Sequence, residues 1–357
     1  MTEPGAFSYQ EITTQGASWQ SAIEATLAQR GELLALLKRN AGRRILFIGC
    51  GSTHYLALWA APYFQSVTGR VCRAVPSSEL YLQTETLLAP GEAPLIVALS
   101  RSGETSETIL AVEKMRARGC EALTVSCYDD TGLSRASTMT IAIPGGREES
   151  FAQTRSFAGM LVAVQTWAAL AAEDEILLEE TQRLPSLAPA LIARAKPLAQ
   201  KVGADETIAR ITYLGTGPFY GLASEATVKV KEMSQTVAEP YHFMEFRHGP
   251  MALVGPEHLI VGLLSEAARN YEVAVLRDLK ERGARILGLA NSTEGLEAVC
   301  DEAFALAAPV SERARSVLYL PFLQLLAYYR AMKKGLNPDR PRNVVMAIRL
   351  TGTEMIG

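Results

Sequence analysis

The sequence predicts an α/β protein made of two tandem domains, each a parallel sheet covered by helices on both faces. Three observations predict it. Short β-rich runs alternate with runs of helical periodicity along most of the chain, the pattern that a parallel sheet requires. The order of those runs restarts past the middle of the chain. With 357 residues, 48% hydrophobic and 20% charged, the chain holds enough apolar material for two ordinary cores without disulfides or metals.

After an irregular start, residues 19–38 carry Ile23, Leu27, Leu33, Leu34 and Leu37 at helical spacing and predict a helix. Residues 44–48 are a compact β-rich run that ends in Gly49-Cys50-Gly51-Ser52-Thr53, the residue types of a tight turn from strand into helix. Strand 71–75, helix 77–86, strand 95–99, helix 104–118 and strands 122–126 and 139–143 follow. Residues 152–172 and 176–202 read as helices, after which strand 211–214 runs into Gly215-Thr216-Gly217 and a further helix. A helix over 313–334 closes the pattern, and Pro338 and Pro341 prevent its continuation into the tail.

The restart is an internal duplication. Aligning Leu99-Ser100 with Leu264-Ser265 gives an offset of 165 residues, and aligning Arg118-Gly119 with Arg282-Gly283 gives 164. The β-rich runs downstream, 122–126 and 286–290, correspond as well. A period this long exceeds that of solenoid repeats, so each copy is a domain. The expected division is an amino-terminal helical segment over 1–42, a first domain over 43–173, a helical linker over 174–207, a second domain over 208–335 and a tail over 336–357.

Composition excludes several classes of function. A formal net charge of -3 and a pI near 6.0 give no basic surface for a nucleic-acid backbone or an anionic membrane. The five cysteines, Cys50, Cys72, Cys120, Cys127 and Cys300, form no CxxC pair, and their odd number argues for a reducing, cytoplasmic setting. The first 20 residues contain no signal-like apolar run. No window approaches the roughly 18–20 apolar residues of a membrane span. HExxH and paired CxxC patterns are absent, so no metal is expected, and no cofactor is implied.

In an open parallel sheet, ligands bind beyond the carboxyl ends of the strands, where the turn 49–53 and the loop 100–105 both fall. The loop Ser100-Arg101-Ser102-Gly103-Glu104-Thr105 places three hydroxyls and a glycine at a helix start, where free amides and the dipole favour a phosphate. An ordinary helix start with Ser102 as N-cap would look similar. The second hydroxyl-rich turn, Gly51-Ser52-Thr53, on the same sheet edge favours phosphate. The corresponding loop of the second copy, residues 264–270, lacks the glycine and most of the hydroxyls, so only the first copy reads as a phosphate site.

A different cluster occupies the second copy. Glu225, Lys229 and Glu232 lie four and three residues apart on one helical face, which by itself reads as an ion-pair ladder. Just downstream, residues 241–250 gather His242, Glu245, Arg247 and His248 before Gly249-Pro250, in a chain with only 4 histidines. That neighbourhood makes the charged helix a candidate for acid/base chemistry.

These segments, namely residues 47–53, 98–105, 229–234, 245–250 and Pro341-Arg342-Asn343, resemble in the same order the sugar-isomerase (SIS) family. They look most like the isomerase half of glucosamine-6-phosphate synthase and its stand-alone relatives. The resemblance implies two tandem SIS domains, each a flavodoxin-like three-layer sandwich. It places Ser52, Thr53, Ser100, Arg101, Ser102 and Thr105, beside Gly51, at the positions that hold the sugar phosphate. It puts Glu232 at the general base that moves a proton between C1 and C2, Lys229 at an accompanying substrate contact, and His248 at a ring-opening histidine. In the family the partner subunit of a homodimer supplies that histidine.

Two departures bear on the reaction. The synthase carries an amino-terminal glutaminase with a nucleophilic Cys, whereas this sequence begins Met1-Thr2-Glu3, so glutamine-dependent synthesis is not expected. The synthase also has a Schiff-base lysine shortly after its Pro-Arg-Asn, where this chain has Met346, and Arg349 is no substitute nucleophile. The resemblance then implies an amino-sugar-phosphate deaminase coupled to aldose/ketose isomerisation, as on glucosamine 6-phosphate. A fructose-amine 6-phosphate deglycase and a plain ketose/aldose phosphate isomerase are the alternatives among enzymes. A non-catalytic sugar-phosphate sensor is the alternative of another class.

Overall fold

The structure is a computed structural model that describes residues 3–350. It divides into two compact units: one gathers residues 17–148, 155–185 and the tail from 345, and the other the amino-terminal segment to residue 16, 149–154 and 186–344. The first of these is called the upstream unit below and the second the downstream unit.

The upstream unit holds five parallel strands: β1 (Ile45–Gly49), β2 (Cys72–Pro76), β3 (Leu95–Leu99), β4 (Ala122–Ser126) and β5 (Met139–Ala142), in the order β2-β1-β3-β4-β5. The downstream unit holds β6 (Arg210–Gly215), β7 (Val237–His242), β8 (His258–Leu263), β9 (Arg285–Ala290) and β10 (Glu302–Ala305), in the order β10-β9-β8-β6-β7, again all parallel. Read from the other edge, the second order repeats the first strand for strand, so the duplication inferred from the sequence is a duplication of topology. β1, β3 and β4 are buried at every residue, as strands covered on both faces must be.

The elements differ from the sequence expectations where a local break or an edge position intervenes. The irregular start contains a helix, Ala6–Thr13. The helix expected over 19–38 is two, Gly16–Ala28 and Arg30–Arg39, because Gln29 (φ -109, ψ 16) leaves the helical region ahead of Gly31. Residues 77–86 likewise split into Ser77–Leu82 and Thr84–Leu87. Closing helix 313–334 begins as a 3-10 turn, Arg315–Tyr319, and becomes α-helical only over Leu320–Lys333. β7 was hidden by Pro240, which an edge strand tolerates and a central one does not. The linker is one helix, Glu175–Gly203.

Each unit turns from its first strand into a helix at a glycine that leaves no room for a side chain. A Cβ on Gly49 would lie 2.5 Å from the backbone carbon and oxygen of Thr53, and one on Gly215 would meet the Phe219 carbonyl equally closely. The obstruction is backbone, so it cannot rotate away. Gly49→Ala is expected to lower stability by about 1–3 kcal/mol, as overpacking does. Urea unfolding measures it, and an unchanged midpoint would show that the turn yields freely.

Candidate active site

The two hydroxyl-rich segments stand side by side in the upstream unit, since each follows one of the paired strands β1 and β3. Gly51 (φ 54) is the N-cap of the helix Ser52–Thr68, and Thr105 is the N-cap of the helix Ser106–Ala117. Ser52, Thr53 and Ser100 are buried at 5%, 4% and 2% exposure, as befits the floor of a crevice rather than a solvated turn.

Some of these groups shape the loops. The Thr53 hydroxyl donates to the Cys50 carbonyl at 2.9 Å and accepts the Cys50 amide at 3.0 Å. The Ser100 hydroxyl accepts the Gly103 amide at 3.2 Å, and that of Ser102 accepts the Glu104 amide at 3.2 Å. Gly103 (φ 66) lies so close to the Thr131 side chain that any Cβ would collide with it. Others are left over. Among the described residues, the hydroxyls of Ser52 and Thr105 and the amides of Gly51, Ser52, Ser102 and Thr105 donate no hydrogen bond. Uncommitted donors at two adjacent helix starts form an anion-binding surface that needs no lysine.

Arg101 is turned to other work than its neighbours. Its guanidinium, 4% exposed, pairs with the buried Glu148 carboxylate at 3.3 Å and gives Nη2 to the Met346 carbonyl at 3.0 Å. Glu148 in turn accepts the Ser156 amide at 3.1 Å and its hydroxyl at 2.5 Å. The tail continues along the loop, with the Ser106 amide donating to the Ile348 carbonyl at 3.2 Å and the Leu350 amide to the Ser106 hydroxyl at 3.0 Å. The tail residues docked here follow the Pro341-Arg342-Asn343 motif directly.

The charged face of the helix Phe219–Ser234 is not a solvated ladder. Lys229 and Glu225 are each 1% exposed, with their charged groups 3.5 Å apart. Lys229 also pairs with Glu232 at 2.5 Å, and the Glu232 side chain keeps 22% exposure. The helix therefore buries a cation that pairs with one carboxylate left partly exposed. His248 is exposed, with its amide on the Glu245 carbonyl at 3.0 Å, and next to it Arg247 pairs with Asp278 at 2.5 Å. His242 stacks on Tyr220 with ring centroids 4.0 Å apart, and burial pushes its imidazole below the usual histidine range.

Topology separates two of the expected catalytic residues within one chain. The helix Phe219–Ser234 runs back from the carboxyl end of β6 to the start of β7, so Glu232 lies at the amino edge of that sheet. His248 comes after β7 and lies beyond the carboxyl edge. With 6 residues in β7, the strand alone puts about 20 Å between the two edges.

The structure thus brings Gly51, Ser52 and Thr53 together with Ser100, Arg101, Ser102 and Thr105, and brings Lys229 together with Glu232, but keeps His248 apart from Glu232 in the same chain. Sequence reasoning missed Glu148, which lies 47 positions from its partner Arg101 and has no motif of its own. No cluster of three or more His, Cys, Asp or Glu residues able to hold a metal occurs among the described residues. Nor is any described helix long and apolar enough to cross a membrane.

Comparison with known proteins matches the SIS domain to residues 39–170 and 207–329. A glutamine--fructose-6-phosphate aminotransferase (isomerizing) of Caulobacter vibrioides is 30% identical over 318 residues, which cover 85% of this chain and 52% of that protein. The chain spans about half the length of the curated relatives it matches. Among solved structures, tagatose-6-phosphate ketose/aldose isomerase from Escherichia coli superposes with a TM-score of 0.85 at 24% identity, covering 97% of this chain and 98% of that one. Glucosamine-6-phosphate deaminase from Thermotoga maritima gives a TM-score of 0.75 at 25% identity, covering 92% and 100%.

Removing the buried cation tests the charged helix. Lys229→Met leaves Glu225 and Glu232 without their shared lysine, and loss of one partner from a buried ion pair costs about 3–5 kcal/mol. Chemical denaturation at neutral pH should show a loss of that size. A loss under about 1 kcal/mol, the range of surface pairs, would mean that the trio is solvated after all.

Proposed function

The chain belongs to the SIS domain family, and from that premise we propose that it is a phosphosugar isomerase acting on an amino-sugar phosphate such as glucosamine 6-phosphate, with release of ammonia. The observation that carries the reading is the set of uncommitted hydroxyl and amide donors at Gly51, Ser52, Ser102 and Thr105, which suits a phosphate dianion. Arg101 supports the loop through Glu148 and the tail.

Glu232 is the proposed base. It takes the C2 proton of the open-chain amino sugar to give an enolamine and returns a proton to C1, so that C2 becomes an imine. Water then adds to C2, the C–N bond breaks, and ammonia leaves a ketose phosphate. Lys229 holds the Glu232 carboxylate in place from the buried side. Because the amine belongs to the substrate, no lysine nucleophile is needed where the chain has Met346. His248 is proposed to open the sugar ring in the active site of a partner subunit, a reading supported by its place at the opposite sheet edge from Glu232.

Purified protein incubated with glucosamine 6-phosphate should yield ammonia and fructose 6-phosphate in equal amounts, and Glu232→Gln should abolish turnover while retaining phosphosugar binding. Turnover of a fructose-amine 6-phosphate instead makes the protein a deglycase, and turnover of a ketose phosphate without ammonia makes it a plain isomerase. Binding without turnover of any of these points to a sensor. The partner-subunit reading has its own test. Glu232→Gln and His248→Ala proteins, each inactive, regain about one quarter of wild-type activity when mixed and allowed to exchange subunits, since half the dimers are hybrids with one intact site. A mixture that stays inactive despite exchange places His248 outside the partner's active site.

A further inference from the structure

The crevice at the carboxyl edge of the downstream sheet has the frame of the phosphate loop and a different occupant. Ser265 follows β8 as Ser100 follows β3, and its hydroxyl accepts the Ala268 amide at 3.1 Å, just as Ser100 accepts that of Gly103 at 3.2 Å. In this unit a carboxylate sits on the serine. Glu272, 1% exposed, accepts the Ser265 amide at 2.7 Å and its hydroxyl at 2.9 Å. Thr216, which stands in the turn after β6 where Cys50 stands in the turn after β1, neighbours this carboxylate. A backbone amide and a serine hydroxyl converging on one oxyanion at a helix start are donors of the kind that seat a phosphate. The next amide of the loop, that of Glu266, is taken by the Glu312 carboxylate at 2.6 Å.

Beside this seat lies a cavity of about 230 Å³ lined by Ser265, Glu266, Arg269, Asn291 and Arg315 among others. Arg315 is 2% exposed, donates Nη1 to the Val310 carbonyl at 2.9 Å and pairs with Glu266, while its buried Nε has no partner among the described residues. A guanidinium so buried needs an anion before it. Here that anion is Glu266, whose side chain is 62% exposed and has solvent to move into.

We infer that this crevice is a second anion site of phosphate size, held shut by the chain's own carboxylates, Glu272 on Ser265 and Glu266 on Arg315, so that each chain takes one phosphate and not two. The comparison rests on the phosphate reading of the loop 100–105. If the network were instead a packed interior with no seat for an anion, deleting its carboxylates would destabilise the protein and create no binding.

Equilibrium dialysis of the full chain against labelled inorganic phosphate counts the bound anions, with circular dichroism as the control for folding. Wild-type protein is expected to bind one phosphate per chain and Glu272→Ala two. The added site should persist when Ser102→Ala and Thr105→Ala, both in the first loop, are combined with Glu272→Ala. Glu266→Ala, at an exposed side chain, frees Arg315 and should add a second phosphate of weaker affinity; it decides the matter alone if Glu272→Ala does not fold. Folded variants that bind no more phosphate than wild type overturn the inference. A wild-type count of zero removes the phosphate reading of the first loop instead, and the difference between variant and wild type still tests the second crevice.

Discussion

Two backbone approaches too close for any side chain, at Gly49 and Gly215, fix where the chemistry of this protein can be. At each, the first turn of a helix comes down onto the end of the strand before it, at a distance that a single Cβ would forbid. That closeness keeps the amides at the start of the helix over the carboxyl edge of the sheet instead of carrying them off on a longer loop. In the upstream unit the result is a row of donors from Gly51 to Thr105 along the ends of two neighbouring strands. In the downstream unit the same turn presents Thr216 to Glu272. The Lys229 and Glu232 pair owes its place to the same helix geometry, carried to the far end of the crossover.

The two units share a frame and differ in the sign of the charge set upon it. Position 101 carries an arginine that pairs with Glu148, while the equivalent position 266 carries a glutamate that pairs with Arg315. Glu148 and Arg315 both come from the segment that leads into a closing helix, Arg155–Ala171 in one unit and Leu320–Lys333 in the other. The ion pair has been kept and its polarity reversed. A buried pair adds little net stability over a well-packed apolar one, so its worth lies in what it does to its surroundings. With the cation on the loop, the upstream crevice tolerates a dianion; with the acid on the loop and Glu272 and Glu312 behind it, the downstream crevice supplies its own.

The fold was largely legible because central parallel strands are written as short apolar runs, and β3 and β4 fall at the residues the pattern predicts. One central strand, β8, is missing from those expected although it is buried at every residue, and the rest of what escaped lies at edges and breaks. β7 carries Pro240 and exposed residues such as Val237, which no central strand would, and the break at Gln29 has no proline to announce it. The hydroxyl loops could be found in the sequence because their chemistry is local: a helix start advertises itself within six residues. Glu148 could not, since its partner Arg101 is brought to it from 47 positions away, and Glu272, although it acts on Ser265 only 7 positions upstream, looks in the sequence like any surface acid. The burial of Lys229 was equally invisible, because spacing alone gives the same pattern for a solvated ladder and a buried trio.

The tail contact bears on the chemistry in a way that its sequence does not suggest. Arg101 holds the tail by the Met346 carbonyl, and the loop holds it again by the Ile348 carbonyl and the Leu350 amide, all main-chain groups. Docking through the backbone is indifferent to the side chain, so the tail is held whatever residue stands at position 346. Met346 itself offers no amine that could form a Schiff base with a ketose. A tail with no amine at position 346, together with a carboxylate at Glu232 held by a buried lysine, has what a proton shuttle needs and lacks a nucleophile there for transfer of an external amine. That combination speaks against the transfer of an external amine and is compatible with isomerisation of a phosphosugar.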